Sequence, residues 1–108
     1  MKAFQKAYGR YPAVGAVYGS LAARYIANAY KKAGSAKTEK FIDALEGMTV
    51  DSPLGPVTMR AFDHQAMLPM FMGVTQKVGG YDFLLAGDIM VIPGEKAMTT
   101  VEEIKRTR

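Results

Sequence analysis

The chain has no cysteine, no tryptophan and, among 108 residues, a single histidine, His64. Without cysteine there is no disulfide framework, no thiolate metal site and no thiol nucleophile. One histidine also excludes a histidine-rich metal centre. No apolar run approaches the roughly 20 residues that a membrane-spanning helix needs. The first residues, MKAFQKAYGRYP, have the positive start of a secretory leader but lack its continuous apolar segment. Any export signal is therefore expected outside this sequence.

Acidic residues are missing from the first third. Residues 1–38 carry seven basic groups and no acid, a formal +7, whereas residues 39–108 carry seven basic and ten acidic groups, a formal −3. Such asymmetry is one mark of a nucleic-acid surface. Here Lys2, Lys6 and Arg10 recur every four residues opposite an apolar stripe, as on a solvated helix face. No interleaving of basic and aromatic residues and no reading motif accompanies them. A basic nucleic-acid binder is the weakest functional class considered, and no nucleic-acid partner is expected.

What the chain does have is 49% hydrophobic residues, enough to form a core. At this length one domain buries roughly two-thirds of its unfolded surface. Phe4, Ala7, Tyr8 and Tyr11 follow helical spacing, and Gly9 with Pro12 closes a first helix over 2–9. A long helix is predicted over 13–33, with Val14, Val17, Tyr18, Leu21, Ala22, Tyr25, Ile26 and Ala29 on one broad face. Lys31 and Lys32 suit its carbonyl end, and Gly34 supplies a left-handed stop. A third helix over 38–46 starts at Thr38 as cap and ends at Gly47.

The second half alternates. Residues 51–56, DSPLGP, read as a turn before a short strand over 57–62. Strands over 70–78 and 82–92 follow, joined by a tight turn at Gly79-Gly80 and interrupted near Gly87-Asp88. Thr99 or Thr100 with Glu102 or Glu103 suggests a capped last helical turn. The fold class is α/β: three helices, a short strand and a C-terminal β-hairpin.

Catalysis finds little support. Asp63-His64 is not a triad by adjacency, because triads are spatial and need an activated nucleophile. A histidine in a turn after a strand is ordinarily a structural hydrogen-bonding group. Asp51, Asp63, Asp82 and Asp88 sit beside glycine, proline or aromatic residues, as turn-capping carboxylates do. Met67, Met70 and Met72 offer soft thioethers suited to Cu(I), but a strand points Met67 away from the other two. The glycines lack both phosphate-cradling spacings. The residues point to no enzyme, no metal and no cofactor.

Several segments resemble the periplasmic solute-binding proteins of branched-chain amino-acid-type ABC transporters. FQKAYGRYP is similar to that family's F-x-x-x-Y-G-x-x-P segment. AVYGSLAARYIANAYKKAGS resembles its G-Y-D-A helix, with Tyr18 kept, Val17 in place of the glycine, and Gly19-Ser20 in place of Asp-Ala. FIDALEG resembles its A-L-E-G helix end, and DSPLGPVTMRAFDHQA its turn–strand segment, with prolines, glycines and DHQ in order. The resemblance runs from about Phe4 to Pro93.

It implies a partial periplasmic-binding-protein fold, the C-terminal part of a two-lobed protein. The 108 residues form a single unit, with about 1–60 belonging to one lobe and about 65–108 to the other. It implies binding of a small solute, an amino acid or an aromatic or aliphatic acid, in the inter-lobe cleft. Delivery to an ABC permease and a periplasmic location follow from the same source. Ala13, Gly15, Ala16 and Tyr18 would face the ligand, while Pro53, Gly55, Pro56 and His64 would form a structural turn. Lacking its other lobe parts, the isolated chain is expected to self-associate. A small self-associating α/β interaction protein is thus the alternative reading.

Overall fold

A computed structural model describes residues 2–107. They form two compact units, which divide between Ala66 and Met67. The architecture is mixed α/β. In the first unit, helices α1 (Lys2–Tyr8), α2 (Val14–Ala33) and α3 (Thr38–Leu45) precede strands β1 (Thr49–Ser52), β2 (Gly55–Arg60) and β3 (Gln65–Ala66). The strands make an antiparallel sheet in the order β1-β2-β3.

The core of this unit is Leu21, Tyr25 and Ala29 of α2, with Ala44, Met48, Val50 and Val57. Leu21, Tyr25 and Ala29 recur every fourth residue, one line down the helix. The buried stripe is narrower than the broad apolar face expected from the sequence. Tyr18 and Ile26, on that face, remain 45% and 52% exposed. The reason is that α3 and β1 cover only one line of α2. Tyr25 fixes the packing by donating its hydroxyl to the Val57 carbonyl at 2.5 Å, so a buried polar group is satisfied.

Helix ends follow local chemistry. Gly34 closes α2 at φ +56, with its N–H bonded to the Tyr30 carbonyl, in the conformation that suits a residue without Cβ. Lys32, from the last turn of α2, donates to the Ala44 carbonyl near the end of α3 at 3.1 Å. The rings of Tyr30 and Phe41 meet at 4.6 Å between the same helices. Thr38 is not the cap of α3. That position falls on Lys37, which makes no side-chain cap bond.

Residues 51–56 are less of a turn than their prolines suggest. Asp51 and Ser52 belong to β1, Gly55 and Pro56 to β2, and Ser52 pairs with Gly55. Only Pro53 and Leu54 lie between the strands. Pro53 presets its own φ, Gly55 takes φ +94, and the Ser52 hydroxyl accepts from the Leu54 N–H while donating to the Gly55 carbonyl. The expected single strand over 57–62 is thus one member of a hairpin, and Ala61 and Phe62 already lie in the next turn.

The second unit holds the β4 (Met70–Lys77) and β5 (Leu84–Ile92) hairpin, then α4 (Gly94–Ala97) and α5 (Val101–Arg106). Its connection is not a two-residue turn at Gly79-Gly80. Lys77 pairs with Leu84, leaving a loop over 78–83. The favoured two-residue hairpin turns need positive φ at the first central position, and type I′ at both; of the two glycines only the second, Gly80, has it, at +85. Tyr81 and Phe83 pack edge to face at 5.6 Å in this loop.

The interruption expected near Gly87-Asp88 is a β-bulge: Met72 pairs with Met90 and Val74 with Gly87, so Asp88 and Ile89 together oppose Gly73. Asp88 takes φ +47 there. Thr100 caps α5 in a complete capping box with Glu103. The Glu103 carboxyl is accordingly held below its usual range by the Thr100 hydroxyl and N–H. Among the described residues of this unit, only Gly94 is buried.

Candidate functional site

Ala13, Gly15, Ala16 and Tyr18 lie at the start of α2. Ala13 is the residue before the helix, extended at φ −82 and ψ 169, and makes no side-chain cap bond. The first turn carries no acidic residue. Ala13 and Gly15 are exposed and Ala16 is half-buried. Tyr18 stands one turn further on and is 45% exposed. The structure therefore places these small residues and an accessible phenol at the start and along the first turns of α2.

The turn residues are organised by an Arg60–Asp63 ion pair and a His64–Glu46 hydrogen bond. Arg60 grips Asp63 with two bonds, Nε to Oδ1 at 2.9 Å and Nη2 to Oδ2 at 2.5 Å. The guanidinium holds the Asp63 carboxyl below its ordinary range, and the carboxylate in turn raises Arg60. His64 accepts φ +57, sends its N–H to the Arg60 carbonyl, and places Nε2 2.8 Å from Glu46 Oε1. Asp63 and His64 are sequence neighbours with different partners. A carboxylate committed to Arg60 does not orient the imidazole, as a catalytic dyad would require.

Pro53, Gly55 and Pro56 lie at the opposite end of β2, in the β1–β2 hairpin. They and His64 belong to two successive turns of one antiparallel sheet, not to a single cluster. Among the described residues no group of three or more His, Cys, Asp or Glu is placed to hold a metal. No described helix is long and apolar enough to cross a membrane. Two partnerships escape sequence reading. Glu46 reaches His64 across 18 positions. Met90, not Met67, completes a methionine face with Met70 and Met72 through the β4–β5 register.

The family model for periplasmic binding proteins matches residues 1–79. The chain belongs to that family, and its fold is part of the type I periplasmic-binding fold. Among solved structures it is similar to an ABC-type branched-chain amino acid transporter protein from Rhodopseudomonas palustris, with 29% identity and a TM-score of 0.78. That match covers 88% of this chain and 26% of the other.

A solute-binding protein of an ABC transporter from the same species, solved with 3,4-dihydroxybenzoic acid, is 28% identical over 79% of this chain and 24% of its own, with a TM-score of 0.69. The leucine-, isoleucine-, valine-, threonine- and alanine-binding protein of Brucella ovis, in a closed conformation, shares the fold at 24% identity. Its TM-score is 0.72, over 93% of this chain and 28% of that one. No curated protein matches. The chain spans about a quarter of the length of these solved proteins. The matched family is one of binding proteins, not enzymes.

Proposed function

We propose that this chain is part of the substrate-binding component of an ABC importer for amino acids or related small organic acids. The observation that carries the reading is the family match over residues 1–79, joined to 29% identity across 88% of the chain with a transporter protein of that kind. In this reading residues of about 1–60 belong to one lobe and about 65–108 to the other, with the solute in the cleft between lobes. Ala13, Gly15, Ala16 and Tyr18 line that cleft, and Pro53, Gly55, Pro56 and His64 shape the scaffold beside it. Exposure of Ala13, Gly15 and Tyr18 supports this assignment.

Two neighbours support this solute class: one is named for branched-chain amino acids and another was solved with 3,4-dihydroxybenzoic acid. Both are small carboxylates with a compact apolar or aromatic body. The location is periplasmic and the downstream partner is a permease. Self-association, expected from the sequence, finds no support in the comparisons.

A graft tests the reading. The matched quarter of the Rhodopseudomonas amino-acid transporter protein is replaced by these 108 residues and titrated calorimetrically with leucine and with 3,4-dihydroxybenzoate. Binding of either one, weakened by Tyr18→Ala with the melt unchanged, is the expected result. A folded graft that binds neither, or is indifferent to Tyr18, refutes it.

A further inference from the structure

The β4–β5 hairpin is apolar on both faces, and neither face is covered. Residues paired across an antiparallel ladder point the same way, and alternate residues point oppositely. Met70, Met72 and Val74 therefore share one face with Met90, while Phe71 shares the other with Val91. On the first face Met70 is 51% exposed, Met72 54%, Val74 65% and Met90 61%; on the second, Phe71 is 45% and Val91 52%. A sheet with one wet side alternates apolar and polar residues, whereas strands covered on both sides read as near-continuous apolar runs. MFMGV in β4 and IMVI in β5 are of the second kind. A lone two-stranded hairpin is marginal in water, and among the described residues of its own unit only Gly94 is buried.

Resting on the function read above, we propose that this hairpin is a two-faced docking element. Its occupant is polypeptide carrying the remainder of the periplasmic-binding-protein fold, one layer on each face. The solved proteins supply the reason for that occupant. This chain accounts for 24–28% of their lengths, so about three quarters of the fold lies outside these residues. The match to the Brucella protein covers 93% of this chain, leaving a remainder shorter than the hairpin, which therefore belongs at least in part to the shared fold.

A second copy of the chain is the weaker occupant. A two-fold dimer uses one patch on each partner, and would leave the other apolar face in water. Charge agrees: residues 70–76 carry none and β5 carries only Asp88, as in the interior of a layered sheet.

The test compares the isolated chain with the graft described above, by hydrogen exchange and by peroxide oxidation of methionine followed by mass spectrometry. In the graft, Met70, Met72 and Met90 should oxidise at least roughly tenfold more slowly, with amides of 70–77 and 84–92 protected. Phe71→Lys and Met72→Lys, one on each face, should each abolish this protection while the first unit's amides stay protected.

Oxidation at the isolated chain's rate overturns the proposal, as does sensitivity to only one of the two lysines. Protection that rises with concentration in the isolated chain overturns it in favour of a second copy. An insoluble graft of a soluble parent also counts against it. Solute titration separates the two readings: a protected graft that binds nothing refutes the ligand assignment and leaves the docking element standing.

Discussion

Tyr25 and Val57, 32 residues apart, are joined by a buried hydrogen bond of 2.5 Å from the tyrosine hydroxyl to the valine carbonyl. Val57 is fully buried and Tyr25 nearly so, and the bond pins the middle of α2 to the central strand of the sheet. Tyr25→Phe keeps the ring and removes the donor, leaving the carbonyl short of a partner. A loss of about 1 kcal/mol or somewhat more is expected in denaturant unfolding.

The same pair sets an alkaline limit. Burial raises the Tyr25 phenol above its usual value near 10. The folded state thus holds its proton more tightly than the unfolded state, so this contribution is complete below the unfolded value. It is lost as pH rises through the folded one. Melting temperature should fall above pH 10 in the native chain, and less steeply in Tyr25→Phe. An identical alkaline limb in both would disprove the linkage.

Asp63 works at the other end of the scale. Its carboxyl is depressed, mainly by the Arg60 hydrogen bonds. The folded state therefore binds this proton less readily, and the stabilisation is present above the ordinary aspartate range. It disappears as pH falls through the folded value. Asp63→Asn should lower the melting temperature at pH 7 and converge with the native chain in strong acid. Parallel curves from pH 7 to pH 2 would show that the Arg60 clamp carries no acid dependence.

His64 combines a favourable contact with an unfavourable backbone. Its hydrogen bond with Glu46 is exposed, with side chains 56% and 42% accessible, and exposed polar contacts of this kind contribute about 1 kcal/mol or less. Its φ of +57 costs a residue with a Cβ about 1 kcal/mol relative to glycine. His64→Ala should be mildly destabilising, and His64→Gly should recover most or all of that loss. In the graft, neither should change solute affinity appreciably. A large affinity loss with an intact circular dichroism spectrum would return His64 to the binding site.

Much of the fold is legible in the residues, for reasons that differ by element. α2 announces itself because apolar positions persist over twenty residues and Gly34 supplies the stop. Thr100 and Glu103 satisfy a purely local rule, spacing of three. β1 and β3 are four and two residues long, too short for alternation to show, and exist only because β2 lies between them. The width of the apolar face of α2 misleads about burial, since burial depends on what covers it. The small residues around Tyr18 are readable as accessible, yet their role comes from resemblance alone. The Glu46–His64 and Met72–Met90 partnerships are set by tertiary register, which no local spacing carries.

The bulge in the hairpin yields a paired test. A Cβ on Gly73 would lie 2.7 Å from the Gly87 carbonyl oxygen, a backbone atom that moves only if the bulge moves. A Cβ on Gly87 would instead meet the end of the Gln76 side chain, which can give way by a change of rotamer where a backbone atom cannot. Neither glycine has the positive φ that would penalise alanine on its own, so the difference isolates the steric term. Gly73→Ala should disrupt the ladder between Met72 and Val74 at about 1–3 kcal/mol, the usual cost of overpacking. Gly87→Ala should cost a fraction of that. Amide exchange in residues 70–77 and 84–92 is the measurement, taken in the graft so that the hairpin is covered. Gly73→Ala should accelerate exchange across both strands, whereas Gly87→Ala should leave it close to native. Equal acceleration by the two would mean that the close approach of Gly73 to Gly87 does not hold the bulge together.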